Sequence, residues 1–108
     1  MKLADLQPQP QLLLHGEGSY AFADDLAKAQ GVSFLCPKCF ATNGGPAGTH
    51  IVLCWFQGRG VPDTAQPKPG RWPVNGTSLD DITLMGSVLL QGACGWHGFV
   101  TAGLVTSC

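Results

Sequence analysis

Charge is scarce in this chain. Only 12% of its 108 residues are Asp, Glu, Lys or Arg, and the formal net charge is −1. A protein that holds nucleic acid by bulk electrostatics needs a clustered basic surface, so that class is disfavoured. Long apolar runs are missing too. The longest, ITLMGSVLL, is interrupted by Gly86 and Ser87 and falls well short of the roughly 18–20 apolar residues a membrane-spanning helix needs. The trio Leu12–Leu14 is too short for the core of a secretory leader and has no small-residue cleavage site after it, so the expected compartment of synthesis is the cytoplasm. No phosphate-cradling glycine loop, Ser/His/Asp set or opposed carboxylate pair stands out. Asp24-Asp25 and Asp80-Asp81 are adjacent pairs whose side chains diverge, and they read as solvated surface or caps.

What the chain has in quantity is glycine, proline and apolar residues: 15 Gly, 8 Pro and a 44% hydrophobic share. The hydrophobic content excludes a disordered protein, and the punctuation predicts short strands joined by many turns. The length fits one domain with a modest core, a size at which metals, disulfides or partners commonly add stability. The expected fold is therefore mainly β: a small domain of short antiparallel strands and long loops.

Residues 1–18 read as an extended N-terminal arm, because the alternation QPQPQ favours extended backbone and blocks helix. Such an arm is either solvated or laid across a neighbouring subunit, which leaves a homo-oligomer open. Residues 19–108 form the expected single domain. SYAFADDLAKAQ (19–30) predicts a short helix, with Ser19 as its cap, Gly31 as its stop and Phe22 and Leu26 on one face. VSFLC (32–36) and HIVLCWF (50–56) read as strands. In the second, Ile51, Leu53 and Trp55 alternate with His50, Val52, Cys54 and Phe56; both faces are apolar, which predicts a central strand. CPKC (36–39) reads as a turn and 40–49 as a glycine-rich loop. The 15 residues 57–71, QGRGVPDTAQPKPGR, read as a long irregular loop of the kind that is often functional. RWPV, DITLM and SVLLQ predict short extended pieces, and NGT at 75–77 a turn. GFVTAGLVTS (98–107) predicts a hairpin turning at Ala102-Gly103. Trp55, Trp72 and Trp96 read as core or packing residues, with Trp72, if exposed, the best contact candidate.

The five cysteines carry the chemistry. An odd number in a reducing compartment points to metal ligation before disulfides. CPKC sets two thiols on one tight turn; CGWH (94–97) repeats the spacing half the chain further on, with Gly95 to let the backbone curl. Together Cys36, Cys39, Cys94 and His97 supply the number and type of ligands of a closed Cys3His zinc site, and thiolates favour zinc over hard ions. The wide separation of the two pairs suits a zinc-ribbon-like fold in which each knuckle tops its own hairpin. Against this stands the plain reading that cysteines are simply core residues. His50 and Cys54 lie four apart on one strand face, so either could replace a ligand; the plainer alternative puts Cys54 in the core and leaves His50 half exposed. Cys108 reads as a bystander. His15-Gly16-Glu17 followed by CPKC imitates the H-x-E … P-C-x-x-C pattern of zinc deaminases, but the proline follows the first Cys and Cys94 and His97 are left without a role. A CxxC redox motif lacks the βαβ context it needs. A zinc ion with four protein ligands has no open position for water, so it would stabilise the fold without activating a nucleophile, and the protein is expected not to be an enzyme.

The pieces GVSFLCPKC, HIVLCWF, RGVP, RWPVNGTSLDDITL and CGWHGFVTAG together resemble a family of small uncharacterised proteins of tailed phages and prophages. The resemblance runs from residue 31 to 108, and CGWHGFV-x-x-G is its most specific part. Genomes often label such proteins "ammonia monooxygenase", a label to which the residues here lend no copper or iron site. The family pattern continues DITL with a Thr/Ser-Pro-Ser segment, where this chain has Met85-Gly86-Ser87. The resemblance implies a phage-encoded zinc module: a virion or assembly component docking on capsid, tail or other phage proteins, located in the host cytoplasm during infection and in the particle if structural. The alternative it leaves is a soluble accessory protein that binds a host or phage protein or nucleic acid.

Overall fold

The computed structural model describes residues 1–13, 20–23, 25–63, 65–67, 70–90 and 94–108. In chain order it contains a 3₁₀ turn (Leu3–Leu6), β1 (Gln9–Leu13), β2 (Tyr20–Phe22), β3 (Gly31–Leu35), α1 (Pro37–Asn43), β4 (Ile51–Trp55), β5 (Val74–Asn75), β6 (Thr83–Leu84), β7 (Val88–Leu89), β8 (His97–Thr101) and β9 (Leu104–Ser107). The strands pair antiparallel in three small sheets, ordered β2-β1-β3-β4, β5-β6 and β7-β8-β9. The protein is thus mainly β, as composition and punctuation predict, and its arrangement is compatible with a zinc ribbon. No helix among the described residues is long and apolar enough to cross a membrane.

The β3–β4 hairpin sets the frame. Its register pairs Gly31 with Trp55 and Leu35 with Ile51. Alternation then puts Val32, Phe34, Val52 and Cys54 on one face, where all four are buried in the common core. The core side is completed by Leu84, Val88, Val100 and Val105 from the two smaller sheets and by Ile82 and Trp96, which immediately precede β6 and β8. Phe34 and Trp96 meet edge to face with ring centroids 6.2 Å apart, tying the first sheet to the third.

The expectation that β4 is central is corrected: β4 is the edge of its sheet, and β1 and β3 are interior. Its second apolar face has a different cause. Trp55, on the side away from the core, is 1% exposed because the 57–71 loop roofs it, and its indole N–H donates to the Gln66 carbonyl at 2.7 Å. The edge itself is partly closed where the Trp72 amide donates to the Trp55 carbonyl. That loop contains no helix or strand among its described residues, as expected. It is organised by Arg71, whose guanidinium donates to the carbonyls of Pro62, Ala65, Pro67 and Gly70. Trp72 donates its indole N–H to Ser87 and packs half-buried against the core.

Residues 1–13 of the expected arm are not an arm, and residues 14–18 lie outside the described residues. Leu3 and Leu6 are fully buried, and β1 lies between β2 and β3. Pro10 is tolerated there because it falls at the end of the β1–β2 ladder. Its carbonyl still accepts from Ala23, and only one rung is lost. The predicted helix over 19–30 is also corrected. Tyr20–Phe22 is strand β2, and Leu26 and Ala29 are buried in a turn that follows it; Ser19 lies outside the described residues. The carbonyls of Leu26, Ala27 and Ala29 accept from the Arg59 guanidinium, which fixes this turn from beyond the end of β4.

The C-terminal hairpin forms as predicted. Ala102 and Gly103 have φ of 48° and 76°, the pair of left-handed residues that a two-residue type I′ turn requires. The Asp81 carboxylate accepts from the amides of Ser78 and Thr77, which holds it below the usual carboxylate range and makes it the cap of the NGT turn. Gly98 has a packing role. A Cβ there would strike the Thr106 carbonyl and sit 2.6 Å from the Trp96 ring. Gly98→Ala should therefore displace Trp96 and destabilise the protein by about 1–3 kcal/mol, the usual cost of overpacking; chemical denaturation against the parent chain measures it, and an unchanged midpoint would refute the packing assignment.

Candidate metal centre

Three separate pieces of chain meet at one end of the β3–β4 hairpin. Cys36 follows β3 and caps α1, whose first residue is Pro37. Proline suits that position, because its missing N–H has no partner to lose and its φ is already helical. CPKC is thus the first turn of a short helix, not an isolated turn, and Cys39 projects one turn along from Cys36. The amides of Lys38 and Cys39 point at the Cys36 sulfur. His50 precedes β4, and the hairpin register continues past Leu35–Ile51 so that the Cys36 amide donates to the His50 carbonyl at 2.9 Å. Cys94 arrives from the third sheet, carried by Trp96, which is anchored on Phe34.

The result is a cluster of Cys36, Cys39, His50 and Cys94, with one ligand atom from each and all four within 4.8 Å of one another. The Cys36 and Cys94 sulfurs are 3.3 Å apart, and His50 Nε2 is 3.4 Å from the Cys94 sulfur. A tetrahedron with metal–sulfur bonds of about 2.3 Å has edges of roughly 3.5–3.8 Å, so the spacing fits a single ion. All five cysteines are free thiols. Lys38 Nζ donates to the Cys94 carbonyl at 2.8 Å and so ties the first knuckle to the second.

The environment splits the thiols. Burial pushes Cys36 up to about 11, against the pull of the Cys39 and Lys38 amides. Burial also opposes ionisation of Cys94, but hydrogen bonds from His50, from the Trp96 amide and from the neighbouring thiols outweigh it and bring Cys94 down to about 6. One sulfur of the cluster is therefore ready as a thiolate near neutral pH, while another gives up its proton only to a metal.

Three of the four sequence-predicted ligands, Cys36, Cys39 and Cys94, come together; His97 does not join them, and His50 takes the fourth place. The reason is strand alternation. Trp96 turns into the core at 2% exposure, which sends the next residue, His97, to the opposite side. There it pairs with Leu89 and lines an open cleft with Lys38 and Gly95. The signal that points to His50 lies in the register. If VSFLC and HIVLCWF pair as a hairpin, Cys36 and His50 are opposite each other at the end where the connection leaves it. Cys54 is fully buried among apolar side chains, its thiol pushed up to about 12 by that burial, and takes no part in the cluster. Cys108 is exposed and also stands apart. His15, of the deaminase-like pattern, lies outside the described residues.

Comparison with protein-family models, with curated proteins and with solved structures finds no match for this chain.

Proposed function

We propose that the chain is a non-enzymatic, phage-encoded module stabilised by a structural zinc ion, serving as a component of the virion or of its assembly. The observation that carries the zinc reading is the convergence of three sulfurs and one imidazole nitrogen within 4.8 Å. Soft thiolates with a single imidazole select zinc among the abundant divalent ions, and four protein donors close the tetrahedron. An ion so enclosed joins β3, α1, β4 and the approach to β8, which are otherwise connected through a small core. That is a structural task, and it leaves no coordination position for a substrate or an activated water.

The phage assignment rests on the resemblance carried by CGWHGFV-x-x-G and its companion segments. The surface suits contact with protein better than with nucleic acid. The net charge is −1, and the outer face of the β7-β8-β9 sheet carries Leu89, Phe99 and Leu104 at 52%, 41% and 51% exposure. Two measurements test the reading separately. Metal analysis of the purified protein should give about one zinc per chain. Mass spectrometry of purified particles should find the protein at a fixed ratio to the capsid or tail proteins. Its absence from particles would end the virion assignment in favour of an accessory protein acting in the infected cell; a folded, metal-free protein would end the zinc assignment.

A further inference from the structure

We propose that a second site, on the opposite side of the first sheet from the core, binds a neutral carboxamide. It is a cleft of about 300 Å³ over β1, β3 and the start of β4, lined by Gln9, Gln11, Ser33, Leu35 and Ile51 among others. Register explains its composition. Gln9 pairs with Ser33, Gln11 with Gly31 and Leu35 with Ile51, so these side chains share one face.

The floor of the cleft is unusual. Gln11 is 1% exposed and Ser33 5% exposed, and they are the buried polar residues of the protein's described part. Gln11 Nε2 donates to Ser33 Oγ at 2.8 Å, yet Gln11 Oε1 is buried with no hydrogen-bond partner. A buried carbonyl oxygen left unpaired is destabilising, and a methionine or leucine at position 11 would avoid that cost. A function that needs the amide accounts for a glutamine there.

The vacant groups define what fits. Gln11 Oε1 requires a donor. Ser33 Oγ, which accepts from Gln11, has a hydroxyl hydrogen with no acceptor among the described residues. A donor and an acceptor side by side in the ligand satisfy both, and a carboxamide has that arrangement. If the Gln11 amide is turned over, the orphan becomes its N–H, and a carboxamide answers that case as well. The walls are aliphatic: Leu35 is 8% exposed, whereas Ile51 is 57% exposed and offers surface to cover. Among the described residues no charged side chain lines the cleft, so a carboxylate or ammonium group would lose its hydration without compensation from them. Gln7 and Gln9 at the rim are exposed and change rotamer on the ps–ns scale, which gives access to the floor. The ligand is thus an uncharged amide beside a branched aliphatic group, either a small molecule or a side chain or backbone amide of an extended peptide.

The test uses isovaleramide as probe and isovalerate as its charged counterpart, read by ¹⁵N–¹H spectra of the protein as purified. Isovaleramide should give saturable shifts of the Gln11 side-chain amide and of Ser33 and Ile51, and isovalerate should bind at least about tenfold more weakly, the loss of a hydrogen bond plus the burial of a charge. Gln11→Met should abolish the shifts at Ile51. If that variant does not fold, Ser33→Ala decides instead, with about tenfold weaker binding expected. A capped leucine dipeptide amide binding more tightly than isovaleramide would identify the peptide source, and equal or weaker binding the small-molecule source. Shifts that do not saturate at Gln11, equal binding of the carboxylate, or a folded Gln11→Met or Ser33→Ala protein that binds unchanged would overturn the proposal. None of these outcomes depends on the phage or zinc assignments.

Discussion

His50→Ala should abolish stoichiometric metal binding, whereas His97→Ala should leave it intact. The two histidines make opposite predictions because only His50 places its Nε2 in the cluster, 3.4 Å from the Cys94 sulfur. His97, turned outward by the burial of Trp96, pairs with Leu89 on the far side of the strand. Removing one of four ligands leaves three donors around an ion that then needs water to complete its shell. In a domain this small the loss reaches the fold. We expect His50→Ala, Cys36→Ser and Cys94→Ser each to cost about 4 kcal/mol or more, the range typical of losing a metal site. His97→Ala should cost less than about 1 kcal/mol, as a half-exposed substitution does. Zinc content after gel filtration, together with urea denaturation of each variant, measures both quantities. Loss of zinc from His97→Ala with retention in His50→Ala would restore the Cys-x2-His knuckle and remove His50 from the site.

The sequence points to His97, whereas the cluster holds His50. CPKC and CGWH look like matched halves because their spacings match, and local spacing is what a sequence displays. The fourth member of the cluster is chosen instead by a long-range property, the pairing of β3 with β4. That pairing was half legible. Both strands stand out by composition, and continuing their register puts Cys36 opposite His50. The Ala102-Gly103 turn was legible for the reverse reason: a type I′ turn is a local event, governed by two residues that accept positive φ. The N-terminal third was the least legible. QPQPQ suppresses helix, as read, but nothing local says that Gln9–Leu13 becomes an interior strand or that Leu3 and Leu6 close the core. The expected helix over 19–30 gives way to strand β2 and a turn whose carbonyls are held by Arg59, some 30 residues further on. Propensity describes a segment by itself, and tertiary partners override it. The thiols were legible as a group because three cysteines in two short motifs leave a composition signal that does not depend on topology.

Acid should release the metal, and the release should steepen below about pH 6. The ligands bind metal in deprotonated form, so the metal-bound protein holds fewer protons than the metal-free protein, and apparent affinity must rise with pH. The two shifted thiols set the window. Cys36, held up at about 11 in the metal-free protein, is protonated throughout the neutral range and loses its proton on binding. It alone contributes about a tenfold gain in affinity per pH unit between pH 7 and 9. Cys94, brought down to about 6, is mostly thiolate at pH 7.5 and adds nothing to the slope there. Below about pH 6 it is protonated too, a second proton must leave, and the slope increases by about another tenfold per unit. Competition against a chromophoric chelator from pH 5 to 9 measures this, with the near-ultraviolet signal of Trp96, whose amide faces the Cys94 sulfur, as a parallel report on the fold. Because the same four side chains join three segments of a small domain, zinc loss and loss of the Trp96 signal should share one midpoint, and a strong chelator at pH 7.5 should produce both together. An affinity that does not change between pH 5 and 8 would exclude thiolate ligation by this cluster. Zinc loss without a change at Trp96 would mean that the ion decorates a fold that stands without it.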